Sequence, residues 1–314
     1  MKMCKVMANT KDMPREEWLR LRRQGIGGSD AGAVCGLNPY QSAMEVYHDK
    51  TGAYIEDEET LSESARSGRD LEDYVARRFM EETGLKVRRS NKMYRHDTYP
   101  FMIADVDRLI VGENAGLECK TASPYTAEKW KDGKIPAHYL AQCYHYMAVL
   151  DADAWYIAVL IYGKEFKWLR LERDEEIIGS LIQMEQDFWE NHVAKRVLPK
   201  PDGSKAAEEF INGHFADSIQ DLSVPLTGFD DKLRRREELT GIIDRLTAEK
   251  RQIEQEIKVV MDEAEFGEAG DFLVTWKNSV SNRLDTRKLK AEMPEVYEKF
   301  CTPVSSRRFL VKVA

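Results

Sequence analysis

Two acidic residues and a lysine stand at a spacing that suits hydrolytic chemistry. Asp107 ends the stretch 101–107, and Glu118 and Lys120 follow after a short turn. Alternate side chains of an extended chain share one face, so Glu118 and Lys120 point the same way, and a hairpin would bring Asp107 close to them. Two carboxylates can hold a hard divalent cation, and a lysine beside it can position or activate water. The pattern predicts phosphodiester hydrolysis, with an ordinary charged surface hairpin as the alternative.

A further carboxylate lies on a predicted helix. Residues 64–83 have helical periodicity. At about 100° per residue, Glu72 falls in the middle of an apolar arc that is formed by Leu71, Val75 and Phe79. A carboxylate on a stripe that faces the core is costly unless a partner neutralises it. Glu72 is therefore predicted to belong to the site or, alternatively, to form a buried structural ion pair.

The elements that would position these residues alternate between strands and helices. A glycine-rich turn at 25–32, which contains Ser29, can open a helix whose backbone N–H groups approach an anion, although most such turns bind nothing. A later helix that starts at Pro136 carries Tyr139 and Gln142 on one face. Interleaved strands and helices imply a mixed α/β core. Strands are predicted at 101–111, 116–121, 154–162 and 165–171, and a closing helix at 177–195.

Composition is that of a soluble globular protein. Of the 314 residues, 42% are hydrophobic and 32% are charged, and the five cysteines show neither a CxxC pair nor zinc-ligand spacing. No apolar run reaches the roughly 20 residues that a membrane helix needs, so a cytosolic protein with reduced thiols is expected. The net charge of −8 argues mildly against a nucleic-acid partner, unless arginines line one concave surface. The candidates for such a lining are Arg15, Arg20, Arg22, Arg23, Arg88 and Arg89.

A proline-containing stretch at 198–203 predicts a boundary between a core at 1–198 and an accessory region at 199–314. Within that region, a long helix at 231–264 has apolar residues at 4-3 spacing, and Lys250 is the polar residue of this seam. Such spacing predicts a helix that packs on a partner, within or between subunits. Short strands are expected near 271–276 and 308–313, around a small helix near 285–289.

Six motifs, in order along the chain, resemble the YqaJ-like viral recombinase family of lambda exonuclease-like nucleases with a PD-(D/E)XK signature. Asp107 takes the place of the signature's aspartate, and Glu118-Cys119-Lys120 matches its (D/E)XK. The resemblance implies a restriction-endonuclease-like α/β core, with a mixed central sheet flanked by helices, followed by a C-terminal helix-plus-strand extension. The motifs are Ile26-Gly-Gly-Ser29, Tyr47-His-Asp-Lys-Thr-Gly52, Gly68-Arg-Asp-Leu-Glu72, Ala104-Asp-Val-Asp107-Arg108, Leu117-Glu118-Cys-Lys120 and Tyr139-Leu-Ala-Gln142.

The same resemblance implies roles for individual residues. Asp107 and Glu118 would hold Mg²⁺ together with the backbone carbonyl of Cys119, and Mn²⁺ would substitute. Lys120 would orient or deprotonate water. The whole catalytic set would be Glu72, Asp107, Glu118, Lys120 and Gln142. A second set would bind DNA and its 5′-terminal phosphate, and it consists of Arg22, Ser29 and Tyr139.

The implied activity is a Mg²⁺-dependent 5′–3′ exonuclease. It would resect linear duplex DNA and leave 3′ single-stranded overhangs for phage-type recombination by single-strand annealing. Its partners would be DNA ends and a RecT-like or Beta-like annealing protein, and the chain would form a homotrimer away from any membrane. A phage or prophage would encode it, and it would act in the bacterial cytoplasm. A PD-(D/E)XK endonuclease and a non-catalytic module that binds DNA ends are the alternatives.

Overall fold

The computed structural model of the protein describes residues 4–52 and 63–312. The chain divides into two compact units, Met1–Ala216 and Asp217–Ala314. No helix within the described ranges is both long enough and apolar enough to cross a membrane.

The first unit contains a central five-stranded sheet and a smaller three-stranded sheet. Its strands are β1 (Cys4–Asn9), β2 (Val87–Arg89), β3 (Lys92–His96), β4 (Ile103–Asp105), β5 (Arg108–Ile110), β6 (Ala115–Ala122), β7 (Ala154–Ile161) and β8 (Glu165–Glu172). The central sheet has the order β2-β5-β6-β7-β8, in which β6 and β7 run parallel and the other neighbours are antiparallel. The smaller sheet, β1-β3-β4, is antiparallel. The expected mixed central sheet is confirmed.

Helices flank these sheets, as expected from the alternating sequence pattern. They are α1 (Arg15–Arg22), α2 (Gly28–Val34), α3 (Ala43–Thr51), α4 (Glu63–Thr83), α5 (Ala137–Leu150), α6 (Glu175–Phe188) and α7 (Lys205–His214). A 3₁₀ segment, Pro124–Gly133, precedes α5, and a π segment, Trp189–Val193, continues α6. The helix predicted at 177–195 therefore corresponds to α6 together with the π segment.

Strand β7 lies at the centre of the core because helices cover both of its faces. Trp155 and Ile157 pack into the cluster to which α5 contributes, whereas Tyr156 and Ala158 pack into the cluster to which α4 contributes. Side chains alternate across a strand, so a run that is apolar at every position suits a strand buried on both sides. Burial of each large apolar side chain contributes about 2 kcal/mol.

The strand predicted at 101–111 is in fact two strands. β4 pairs with β3 in the smaller sheet, and β5 pairs with β6 in the central sheet. Val106 and Asp107 stand where the chain passes from one sheet to the other. Both halves carry the same apolar pattern, so local alternation does not reveal this change of partner.

Helix α7 extends the first unit beyond the predicted boundary at 198/199. It packs against α3, where the His48 ring centroid lies 4.9 Å from that of Phe210 and 4.5 Å from that of His214. The boundary at 198/199 therefore falls inside the first compact unit. The assignment of separate roles to 1–198 and 199–314 stays a prediction.

The second unit is built around one long helix. Its elements are α8 (Asp230–Met261), the hairpin β9 (Phe266–Ala269) and β10 (Phe272–Thr275), α9 (Thr286–Glu292) and α10 (Pro294–Phe300). The predicted long helix is confirmed, and its apolar seam is exposed, with Ile243 and Leu246 both at 59%. Residues 308–312 form no regular strand although one was predicted at 308–313, and Val313 lies outside the described residues.

Candidate active site

Asp107 is brought to β6 by the antiparallel pairing of β5 with β6. In this pairing Arg108 lies opposite Leu117. Oδ2 of Asp107 accepts a hydrogen bond from the backbone N–H of Cys119 at 2.8 Å. The expected juxtaposition of Asp107 with the segment that carries Glu118 is therefore present.

Glu118 and Lys120 share the face of β6 that α5 covers. Oε1 of Glu118 lies 2.6 Å from Lys120 Nζ and accepts a hydrogen bond from Gln142 Nε2 at 2.7 Å. The Gln142 amide also donates to the Tyr146 hydroxyl at 3.0 Å, and Lys120 Nζ lies 4.6 Å from the centroid of the Tyr139 ring. One face of α5 therefore holds both the carboxylate and the lysine in place.

Burial controls the protonation of these groups. It raises the pKa of Asp107 well above its usual range, and the charges of Glu118 and Glu72 raise it further. Burial also raises the pKa of Glu118, although the ammonium of Lys120 opposes that rise. For Lys120, burial lowers the pKa, but the charges of Glu118, Tyr139 and Asp107 together outweigh it and the net change is upward. These buried carboxylates repel one another, so a bound cation would stabilise their ionised forms.

The two oxygens of the Glu118 carboxylate differ in their surroundings. Its Oε2 is buried, and no hydrogen-bond donor among the described residues reaches it. A buried carboxylate oxygen without a partner is costly, and a cation beside it would offset that cost. Over the same ranges, no three or more His, Cys, Asp and Glu side chains form a metal-binding group. Two carboxylates still suit Mg²⁺, which is usually held by one or two of them and keeps several waters.

Arg108 links Glu72 to the backbone of Asp107. The side chain is buried, and its Nη1 donates to Oε1 of Glu72 at 2.5 Å and to the Asp107 carbonyl at 2.6 Å. Its Nη2 donates to Asp73 at 2.5 Å. Glu72 thus forms an ion pair, with its side chain 31% exposed rather than buried, and it lines the cleft next to Asp107. Its place in the catalytic set stays a prediction.

A cleft of about 420 Å³ opens in front of these residues. Two of the six arginines expected from the sequence, Arg22 and Arg89, line it, and Arg69 and Arg108 add to this wall. Glu72, Asp105 and Asp107 provide negative charge. The other four expected arginines do not line this cleft, and they are Arg15, Arg20, Arg23 and Arg88. A chain of net charge −8 therefore gathers cations at this concave surface.

Arg22 and Ser29 contact each other in the same cleft. Nη2 of Arg22 donates to Ser29 Oγ and, at 3.2 Å, to Asp30 Oδ1. The second oxygen of Asp30 pairs with Lys50 Nζ at 2.7 Å and accepts from the backbone N–H of Gly27 at 2.9 Å. The N–H of Gly27, expected to face an anion, is therefore occupied by Asp30. An anion here would bind the side chains of Arg22 and Ser29.

The structure brings together the residues predicted for catalysis, and Arg22 and Ser29 line the same cleft as Asp107. Sequence reasoning missed the roles of Arg108 and Tyr146. Arg108 lies within a matched motif, and Tyr146 follows Gln142 by four residues on the same helix face, so both carried a signal. The ring of Tyr146 packs so closely on α2 that a Cβ at Gly28 would lie 2.4 Å from it.

A family model matches within the first unit, and a known protein matches over almost the full chain. Residues 17–153 match the YqaJ-like viral recombinase domain. Over 314 residues, covering 99% of this chain and 98% of its relative, the sequence is 41% identical to the protein YqaJ of Bacillus subtilis (strain 168).

The fold is similar to that of the alkaline exonuclease LHK-Exo from Laribacter hongkongensis. Two crystal structures of that protein, one of them in complex with dAMP, match with a TM-score of 0.50 at 20% and 21% identity. Each match covers 58% of this chain and 94% of the other. The likeness at this identity concerns the fold alone, a mixed central sheet flanked by helices.

Proposed function

The chain belongs to the YqaJ-like viral recombinase family, and we propose on that premise that its cleft is the active site of a Mg²⁺-dependent exonuclease that resects linear duplex DNA from 5′ ends. The observation that carries the proposal is the buried Glu118. Lys120 and Gln142 hold its Oε1, while no described donor reaches its Oε2. A purely structural ion pair would be expected to satisfy both oxygens.

Asp107, Glu118 and the backbone carbonyl of Cys119 would hold the cation. A bound Mg²⁺ supplies positive charge for the phosphodiester transition state and lowers the pKa of water. Mn²⁺ would substitute, because carboxylate, carbonyl and water ligands suit both cations. The N–H of Cys119 already orients the Asp107 carboxylate, so less ordering is required when the cation binds.

Lys120 orients the attacking water in this proposal. Burial lowers the pKa of Lys120, but the charges of Glu118, Tyr139 and Asp107 together outweigh that effect and favour the ammonium form. An ammonium donates hydrogen bonds to water and adds positive charge next to the scissile phosphate. Of the two roles expected for this lysine, orientation of water is therefore favoured over deprotonation. Gln142 and Glu72 support the site through Glu118 and Arg108, respectively.

The 5′-terminal phosphate is proposed to bind Arg22 and Ser29. Their side chains contact each other in the cleft that Asp107 also lines. A guanidinium donates charge-assisted hydrogen bonds to phosphate, and a hydroxyl can donate one more. Tyr139, beside Lys120, would contact DNA near the scissile bond. A terminal phosphate held in this way would select the bond to be cut and restrict digestion to DNA ends.

The proposed product suggests the biological setting. A 3′ single-stranded overhang is the substrate of an annealing protein, so we propose a RecT-like or Beta-like partner in a phage or prophage recombination system of the bacterial cytoplasm. A homotrimer around the duplex would gather cations about the DNA and overcome the repulsion expected of a chain with net charge −8.

An endonuclease and a non-catalytic module that binds DNA ends are the competing functions. Closed circular duplex DNA separates the first, because an exonuclease leaves it intact. The second is disfavoured because a site without catalysis tends to lose at least one member of its catalytic set. All members stand in this chain, namely Glu72, Asp107, Glu118, Lys120 and Gln142.

Digestion of linear duplexes labelled separately at the 5′ and 3′ ends tests the proposal. We expect the 5′ label to be released first, chelation of divalent cations to stop digestion, and added Mg²⁺ or Mn²⁺ to restore it. Ends with a 5′ phosphate should be digested faster than 5′-hydroxyl ends, and Arg22→Ala should narrow that difference, because the guanidinium is the charged partner of the phosphate. Equal rates on the two kinds of end with the wild-type protein would reject the phosphate site.

A further inference from the structure

The C-terminal segment has the opposite charge balance to the rest of the chain. Residues 272–312, here called the basic tail, contain nine Lys and Arg residues against four Asp and Glu, a net charge of +5 in a chain of net −8. All nine basic side chains are exposed. Such a concentration of positive charge favours binding to a polyanion.

Large aromatic side chains are also exposed in the basic tail. Phe309 is 81% exposed, Phe300 is 77% exposed and Trp276 is 47% exposed. Each of them has a basic neighbour in sequence, and the three pairs are Trp276-Lys277, Lys299-Phe300 and Arg308-Phe309. Each ring therefore stands in solvent beside a positive charge, and this is the pairing that lets a ring stack on a base while its neighbour contacts a phosphate.

We propose that the basic tail binds single-stranded DNA. In a single strand the faces of the bases are free, so they can stack on exposed rings while the adjacent cations contact the phosphates. A duplex hides its base faces, and duplex binding would need the cations but not the rings. An acidic protein surface would also satisfy the cations, but it would not require a ring beside each of three cations.

This surface is distinct from the catalytic cleft. It lies in the second unit, whereas the residues that line the cleft lie in the first. The identity of the strand, the 3′ overhang left by digestion, rests on the proposed exonuclease activity. The binding itself does not depend on that activity, so it can be measured without any cleavage.

Fluorescence anisotropy of a labelled oligothymidylate of about 20 nucleotides, longer than a usual binding site, tests the proposal on the full chain without divalent cations. Trp276→Ala and Phe309→Ala should each weaken binding about tenfold, because each removes a stacking ring. Val280→Ala is the matched control, since Val280 is 97% exposed in the same segment but has no ring. Its affinity should equal that of the wild type.

The salt dependence tests the charge separately. Lys288→Gln combined with Lys290→Gln on α9 should reduce the slope of log affinity against log salt by about 1.4, which is about 0.7 for each phosphate contact. Thermal unfolding followed by circular dichroism checks that every variant is folded. The same variants, when given Mg²⁺ and a linear duplex, report on the nuclease independently.

Two results would overturn the proposal. If both aromatic variants bind oligothymidylate as tightly as the wild type, the tail does not stack bases, and an acidic protein becomes the better candidate for its partner. If the aromatic variants weaken binding to single strands and to a duplex of equal length by the same factor, the rings do not read unpaired bases. Intact tail binding in a chain that digests no DNA would reject only the nuclease proposal.

Discussion

Glu118 is the side chain on which the proposed binding of a cation mainly depends. Its carboxylate is buried, and it needs compensation because an isolated buried charge costs several kcal/mol. Lys120 and Gln142 contact Oε1, whereas no hydrogen-bond donor among the described residues reaches Oε2. A residue arranged in this way is suited to a cation that binds and leaves with the substrate.

Glu118→Gln is expected to abolish digestion while the fold is kept. The amide preserves the shape of the side chain but removes the charge that would hold Mg²⁺, so the cleavage rate should fall about a thousandfold, or about 4 kcal/mol of transition-state stabilisation. Glu209→Gln, on the exposed side of α7, is the matched control and should digest DNA like the wild type. Near-normal digestion of an end-labelled duplex by purified, folded Glu118→Gln would contradict the assignment of Glu118 as a metal ligand.

At the scale of elements, Asp30 joins three short helices, α1, α2 and α3. It lies on α2 and pairs with Arg22 of α1 and Lys50 of α3. Burial raises the pKa of Asp30, but the charges of Lys50 and Arg22 reverse this effect and the net change is downward. A carboxylate whose pKa is lower in the folded chain stabilises the fold above its unfolded pKa, and this stabilisation is lost as the pH falls towards the folded value.

Asp30→Asn should lower the free energy of unfolding at pH 7 by about 3 kcal/mol, because it leaves the buried Lys50 without its main partner. The unfolded pKa is 3.8. Below this pKa, the stabilisation by Asp30 falls by about 1.36 kcal/mol per pH unit. The difference in free energy of unfolding between wild type and variant should therefore be about 1 kcal/mol smaller near pH 3 than at pH 7. Urea unfolding at both pH values measures the gap. Asp49→Asn, which removes a half-buried partner of the same lysine, is the control and should cost much less. A gap that does not change with pH would contradict the ion pair.

For the whole molecule, two features call for association. In the proposed ring, cations of several chains would surround the DNA and offset the repulsion expected of a net charge of −8. Separately, the seam of α8 leaves Ile243 59% exposed and Ile253 52% exposed, and a stable helix of this pattern normally buries such a stripe. The first feature concerns the nuclease cleft and the second concerns the second unit, so the two can be tested apart.

We expect light scattering at micromolar concentration to give a mass near three chains of 36.2 kDa each, because a closed ring is the proposed way of holding DNA. The mass of one chain together with full activity would reject the ring. Ile243→Glu combined with Ile257→Glu reports on the seam, with Val259→Glu as the control, since Val259 is 80% exposed but lies off the seam. A mass lowered by the seam variant alone would assign the contact to α8, and an unchanged mass would assign it to the first unit.

The local arrangement of the site could be predicted from the amino-acid sequence. Strand periodicity places Glu118 and Lys120 on one face, and a single hairpin is enough to bring Asp107 beside them. Helices α4, α5 and α8 were likewise predictable, because a periodic pattern depends only on neighbours within a few turns. The order of the motifs carried the family resemblance, which the comparisons confirm.

The partner of each charged side chain could be identified from the tertiary structure but not from the sequence. Glu72 pairs with Arg108, and the chain changes sheets at Asp107. Nε2 of His145 donates to the Ile103 carbonyl at 2.8 Å, since a carbonyl can only accept, while Nδ1 lies 2.8 Å from the Glu185 carboxylate. These contacts join residues far apart in sequence. Their cost or benefit depends on burial by several elements at once, and no local pattern encodes that burial.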